Sequence, residues 1–101
     1  MKIISVKILR EFWLRFPDSE QHLKAWADEA KQANWTQPAD IKIKYRSASI
    51  LKNRRVVFNI KGNDYRLVVS VAYRFNAVYI KFIGTHAEYD GIDVETIELE
   101  H

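Results

Sequence analysis

The chain has 101 residues, 48% hydrophobic and 29% charged, with three Gly, two Pro and no cysteine. That length suits one domain with one core, and the composition excludes a disordered or fibrous chain, disulfides, and any thiolate nucleophile or thiolate metal site. The net charge of +3 hides an uneven distribution: residues 1–40 carry six basic and six acidic side chains, residues 41–81 ten basic and one acidic (Asp64), and residues 82–101 six acidic and none basic.

A middle segment of net charge +9 draws a polyanion, and counterions displaced from phosphate make such binding fall with salt. The competing reading is a solvated sheet edge whose charges keep its strands from pairing with neighbours. The opening residues hold neither an apolar run of 18 nor a small-residue cleavage site, so no membrane span or secretory leader is expected and the cytoplasm is the default location. The terminal Leu-Glu-His, Leu99 to His101, reads as the stub of an affinity tag, leaving residues 1–98 as the expected single domain.

In chain order, Met1 to Ser5 is short and β-rich. Leu9, Phe12, Trp13 and Phe16 then fall at i, i+3, i+4 and i+7, the apolar stripe of an amphipathic helix, which Pro17 stops. Asp18 or Ser19 can cap a second helix with the stripe Leu23, Trp26, Ala27 and Ala30, and Asn34 suits a left-handed stop. Pro38 fits the first turn of a third helix ending before Ser47. Ser49 to Leu51 can add a short strand.

From Arg54 the period changes to two. Val56, Phe58 and Ile60, then Leu67, Val69, Val71 and Tyr73, then Val78, Ile80 and Phe82 are expected on one face, with turns at Lys61–Asp64 and around Asn76. The fold class is therefore α+β: two to three N-terminal helices packed on one face of a small, mainly antiparallel sheet of three to four strands. The opposite face is expected to carry Asn59, Lys61, Arg66, Ser70, Arg74, Tyr79 and Lys81, a polar and basic surface. A one-residue bulge would exchange the two sets.

Among the function classes, metal catalysis is poorly supported. Apart from His101, the only histidines are His22, expected on the second helix, and His86, far from it in sequence and without ligand spacing. No glycine-rich phosphate loop or serine nucleophile elbow is present, and no cofactor is expected. Cleavage of RNA without a metal does suit these residue types. A base must take the 2′-hydroxyl proton, cations must stabilise the phosphoryl oxygens, and an acid must protonate the leaving 5′-oxygen. His86 can move a proton near neutral pH, and a carboxylate such as Asp90 nearby would orient its ring. Arg66 and Arg74 can grip phosphate through paired hydrogen bonds, Lys61 and Lys81 act as point charges, and Tyr79 or Tyr89 can stack on a base or donate a proton. A hydrogen-bonded structural histidine is the alternative for His86. For the whole chain, the alternatives are a non-catalytic module binding RNA, the ribosome or a protein, or a basic face that docks an acidic partner segment.

The order of elements and the strings ADIK (Ala39 to Lys42), VVFNIKGNDYRLV (Val56 to Val68) and VYIKFIGTHAEYD (Val78 to Asp90) resemble the HigB toxins of bacterial toxin–antitoxin pairs, members of the RelE-like superfamily. The resemblance covers nearly all of residues 1 to 97. It implies the compact RelE-like fold and an endoribonuclease that cuts messenger RNA, usually on the ribosome, arrests growth, and is silenced by a HigA-type antitoxin with a helix-turn-helix domain. By position, Lys61, Arg66 and Arg74 match the family's basic sheet positions, and His86, Tyr89 and Asp90 match the signature after the last strand.

Overall fold

The computed structural model describes residues 1–99, so Glu100 and His101 of the expected tag remnant lie outside the described residues. In chain order the elements are β1 (Lys2–Ile4), α1 (Lys7–Arg15), a 3-10 turn (Pro17–Ser19), α2 (Glu20–Gln32), α3 (Pro38–Lys44), β2 (Ser49–Ile50), β3 (Arg55–Ile60), β4 (Tyr65–Ala72), a second 3-10 turn (Tyr73–Phe75), β5 (Ala77–Thr85) and α4 (His86–Asp90). The strands form one sheet in the order β1-β5-β4-β3-β2. β1 runs parallel to β5, and every other pairing is antiparallel. The sheet has five strands because both short segments, at Lys2 and Ser49, pair with its edges.

The helical stripes bury as their spacing dictates: Leu9 and Phe12 from α1, and Leu23, Trp26, Ala27 and Ala30 from α2. Phe58 of β3 sits at the centre of an aromatic cluster, its ring centroid 5.0 Å from Tyr45, 5.4 Å from Trp26 and 6.2 Å from Trp35. A second aromatic group joins Phe12 and Phe16 of the α1 end to Tyr65 of β4. Each fully buried side chain of this size contributes about 1.5–3 kcal/mol of transfer free energy, so these clusters fix the helices to the sheet.

The helix boundaries differ from expectation in their chemistry. Ser19 makes no capping bond; its hydroxyl donates to the Phe16 carbonyl at 2.7 Å within the 3-10 turn. Asp18 is committed elsewhere, accepting from the Tyr65 hydroxyl at 2.5 Å and from Lys61 Nζ at 2.9 Å. Both bonds hold its carboxyl below the ordinary range, the tyrosine bond most. Asn34 is not a left-handed stop: α2 ends at an extended Ala33 (ψ 157°), which leads the chain on to the buried Trp35.

Three corrections concern the sheet. Between Val68 and Val69 the β4–β5 register shifts, so that Val68 faces Phe82 and Val69 faces Ile80, leaving Lys81 as the extra residue. Beyond that bulge the alternation inverts: Ile83 joins the core, and Phe82 moves to the open face. Lys61 is not on the open face, because it enters the turn in a left-handed conformation (φ 52°) and reaches Asp18 in the helical layer and Asp64. Those two partners raise the Lys61 pKa, Asp18 foremost. Arg74 is not on a strand, since β4 ends at Ala72 and the chain turns through Tyr73–Phe75.

Candidate active site

The open face is organised by cross-strand pairs in three rows. Arg55, Ser70 and Tyr79 form the first, Val57, Val68 and Phe82 the second, and Asn59, Arg66 and Gly84 the third. The middle row is apolar, and Val57 and Val68 are buried, so the basic face is split by a hydrophobic band. The third row lies beside the Lys61–Asp64 turn and the start of α4, and it is here that polar groups converge.

α4 begins at a capping box. Glu88 N donates to Thr85 Oγ1 at 3.2 Å while Thr85 N donates to Glu88 Oε1 at 2.8 Å, satisfying two backbone donors reciprocally. The Thr-His-Ala-Glu sequence carries this T-x-x-E signature, a local signal for the helix that hydrophobic periodicity misses. A further bond, His86 N to the Asp64 carbonyl at 3.2 Å, ties α4 to the β3–β4 turn. Gly84 makes the close approach possible: a Cβ there would lie 2.5 Å from Phe82 Cζ and 3.1 Å from Glu88 Oε1. Gly84→Ala is therefore expected to displace the ring or the cap and to cost about 1–3 kcal/mol of overpacking, seen as a lower urea midpoint. An unchanged midpoint would contradict this account of the glycine.

Arg66 is the hub of the corner. Its Nη1 donates to Asn59 Oδ1 across the β3–β4 pair and to Asn63 Oδ1 in the turn at 3.1 Å. Its guanidinium carbon lies 5.5 Å from the centroid of the Tyr89 ring, within cation–π range. All three partners are uncharged, and among the described residues no carboxylate pairs with the guanidinium. Asn63, which the sequence pattern marks only as a turn residue, is thus part of the site.

On α4, His86 Nδ1 and Asp90 Oδ2 are 3.3 Å apart, the i,i+4 geometry of one helical face. The carboxylate stands beside Nδ1, on the same side of the helix. The His86 side chain is 50% exposed, so a ligand can reach it directly. The structure therefore gathers Asn59, Arg66, His86, Tyr89 and Asp90 at one corner. Arg74 lies beyond the far end of β4, which at Ala72 is already roughly 20 Å from Arg66 along the strand. Lys61 is turned to Asp18 and Asp64, as described above.

Lys81 and Tyr79 lie toward the other end of the open face, under the C-terminal segment that follows Asp93. Lys81 Nζ donates to Glu98 Oε1 at 2.5 Å and sits 5.7 Å from the Tyr79 ring centroid. Arg55 donates from Nη2 to Glu98 Oε2 at 2.6 Å and from Nη1 to the Ile97 carbonyl at 2.6 Å. These cations hold the Glu98 carboxyl below its ordinary range, Lys81 most. Glu98 of the acidic tail thus pairs with the sheet, and among the described residues four of the ten cations of residues 41–81 (Lys44, Arg55, Lys61 and Lys81) have an acidic partner.

Among the described residues, no group of three or more His, Cys, Asp or Glu side chains converges as metal ligands would, and no helix is long and apolar enough to cross a membrane. Helices on one face of a mainly antiparallel sheet, with an exposed imidazole and a guanidinium at its open corner, make a compact α+β domain. The family model for the HigB toxin, the RelE-like toxic component of a toxin–antitoxin system, matches residues 19–92, and the chain belongs to that family. The mRNA interferase toxin HigB of Escherichia coli (strain K12) is 28% identical over 92 residues, covering 89% of this chain and 88% of its own length. The mRNA interferases HigB of Escherichia coli O157:H7 and Shigella flexneri match with the same identity and coverage.

Proposed function

We propose that this chain is an mRNA interferase, an endoribonuclease that cleaves message by internal attack of the 2′-hydroxyl, without a metal. The observation that carries the reading is the convergence of Arg66, Tyr89, His86 and Asp90 at one corner of the sheet, in a member of a toxin family whose named relatives are mRNA interferases. The 2′-oxygen forms a bond to phosphorus as the bond to the 5′-oxygen breaks, leaving a cyclic phosphate and a 5′-hydroxyl. Arg66 stabilises the negative charge that builds on the phosphoryl oxygens, where its two N–H directions match two oxygens. His86, oriented by Asp90, moves a proton at the 2′- or the 5′-oxygen. Tyr89 supports Arg66 through its ring, and Asn59 fixes the guanidinium from the neighbouring strand.

The partners of this reading are messenger RNA, the ribosome that presents it in the cytoplasm, and a HigA-type antitoxin with a helix-turn-helix domain. Expression of the chain without an antitoxin should arrest growth, and primer extension should find new 5′ ends within translated messages. Wild-type protein that leaves both growth and messages untouched would sink the reading. RNA binding with no cleavage, even with ribosomes present, would favour a non-catalytic module instead.

A further inference from the structure

We propose that Arg55 and Lys81 form a phosphate subsite for the RNA strand, and that the Glu98 carboxylate occupies it in the free protein in place of a phosphodiester. The inference rests on the reading of the chain as an RNA-directed protein and extends its binding surface beyond the corner at His86.

The geometry of the Glu98 contact is that of an anion held between two cations. One oxygen takes Lys81 at 2.5 Å and the other takes Arg55 at 2.6 Å, as the two non-bridging oxygens of a phosphodiester would. The Arg55 side chain is 6% exposed and that of Glu98 60%, so a buried cation is answered by a surface carboxylate. Among the described residues, both hydrogen-bonding partners of the Arg55 guanidinium belong to the segment after Asp93, which has no regular secondary structure, and Arg55 Nε is buried with no partner. A buried cation is costly unless it is paired and hydrogen-bonded. Here both acceptors come from the segment after Asp93, which is neither helix nor strand.

Placement supports an RNA strand as the displacing ligand. Arg55 and Asn59 point to the same face of β3, four residues apart, which separates the proposed subsite from the Arg66 corner by about 13 Å. A few nucleotides of single strand span that distance along the open face. Ser70, paired between Arg55 and Tyr79, borders a groove of about 430 Å³ beneath the tail, and the exposed Tyr79 ring beside Lys81 offers a stacking surface for a base. The tail then acts as an internal competitor: its carboxylate leaves the two cations when phosphate takes them.

The test uses the full chain and a six-nucleotide 2′-O-methyl oligouridylate, which binds but cannot be cleaved, with fluorescence anisotropy as a function of salt. Glu98→Gln keeps the size of the side chain and removes the competing charge. It should bind about fivefold more tightly, the factor expected for loss of one exposed competing ion pair. The slope of log affinity against log salt should steepen by about 0.7 for each phosphate gained. Adding Lys81→Ala to Glu98→Gln should remove that gain. Equal affinities and equal slopes in wild type and Glu98→Gln would overturn the proposal.

If Glu98→Gln melts below the assay temperature, hydrogen exchange of the unaltered chain decides: amides of residues 95–98 should exchange faster with oligonucleotide bound, and unchanged or slower exchange overturns the subsite. A chain that shows the Glu98→Gln gain yet never cuts message would keep the subsite and discard the nuclease reading.

Discussion

His86→Ala is expected to lower message cleavage by about 10²–10⁴-fold, the range for removing a positioned proton-transfer group, while binding of an uncleavable RNA strand stays near the wild-type value. The separation between the two readouts follows from the geometry. His86 is half-exposed on α4 and, among the described residues, pairs with Asp90 alone of the charged groups, so its loss leaves the Arg66 network intact. It also leaves the fold intact, because α4 is held by the Thr85–Glu88 capping box and by the backbone bond from residue 86 to Asp64, neither of which uses the imidazole. Cells expressing the variant should grow. Asp90→Asn keeps a polar side chain beside Nδ1 but removes its charge, so a smaller loss of cleavage is expected. Cleavage by His86→Ala at the wild-type rate would assign proton transfer to another group.

Much of this corner is legible in the amino-acid sequence, and the parts that are not have physical causes. The helical stripes and the period-two pattern place Leu9, Trp26, Phe58 and Leu67 in the core because burial there follows spacing alone. Three departures from the expected faces share one origin, the end of regular alternation. The bulge at Lys81 sends Phe82 outward and Ile83 inward, left-handed backbone at Lys61 turns that side chain toward Asp18, and the chain leaves β4 before reaching Arg74. Such departures are settled by long-range pairing that local pattern does not contain. The acidic tail is a related case. Charge alone is a poor reason to assign Glu98 a role, since exposed pairs contribute little; it is the burial of Arg55 beneath the tail that makes the contact informative. The helix at His86, by contrast, is written in the Thr85–Glu88 spacing, but its five residues are too few to show an apolar stripe.

Arg66→Ala should be nearly as damaging as loss of His86, reducing cleavage by about 10²–10³-fold, the scale for deleting one electrostatic contact to the developing oxyanion. Unlike the histidine variant, it should also weaken binding of the uncleavable strand and flatten its salt dependence by about 0.7, because one cation no longer meets phosphate. The side chain unites the site: removing it strands the carbonyl oxygens of Asn59 and Asn63 and uncovers one contact of the Tyr89 ring. Arg66→Lys restores a charge but not the planar fork that meets Asn59 and Asn63 through one nitrogen while lying over the ring, so its activity should stay closer to Ala than to wild type. Arg74→Ala provides the control that the fold makes possible. Its guanidinium lies past the far end of β4, in the Tyr73–Phe75 turn, and has no part in the corner formed by Asn59, Arg66 and Tyr89. Turnover near the wild-type value is expected for that variant, with any loss confined to binding. Arg74→Ala as inactive as Arg66→Ala, with its fold retained, would move the scissile phosphate away from α4 and toward the opposite end of the sheet.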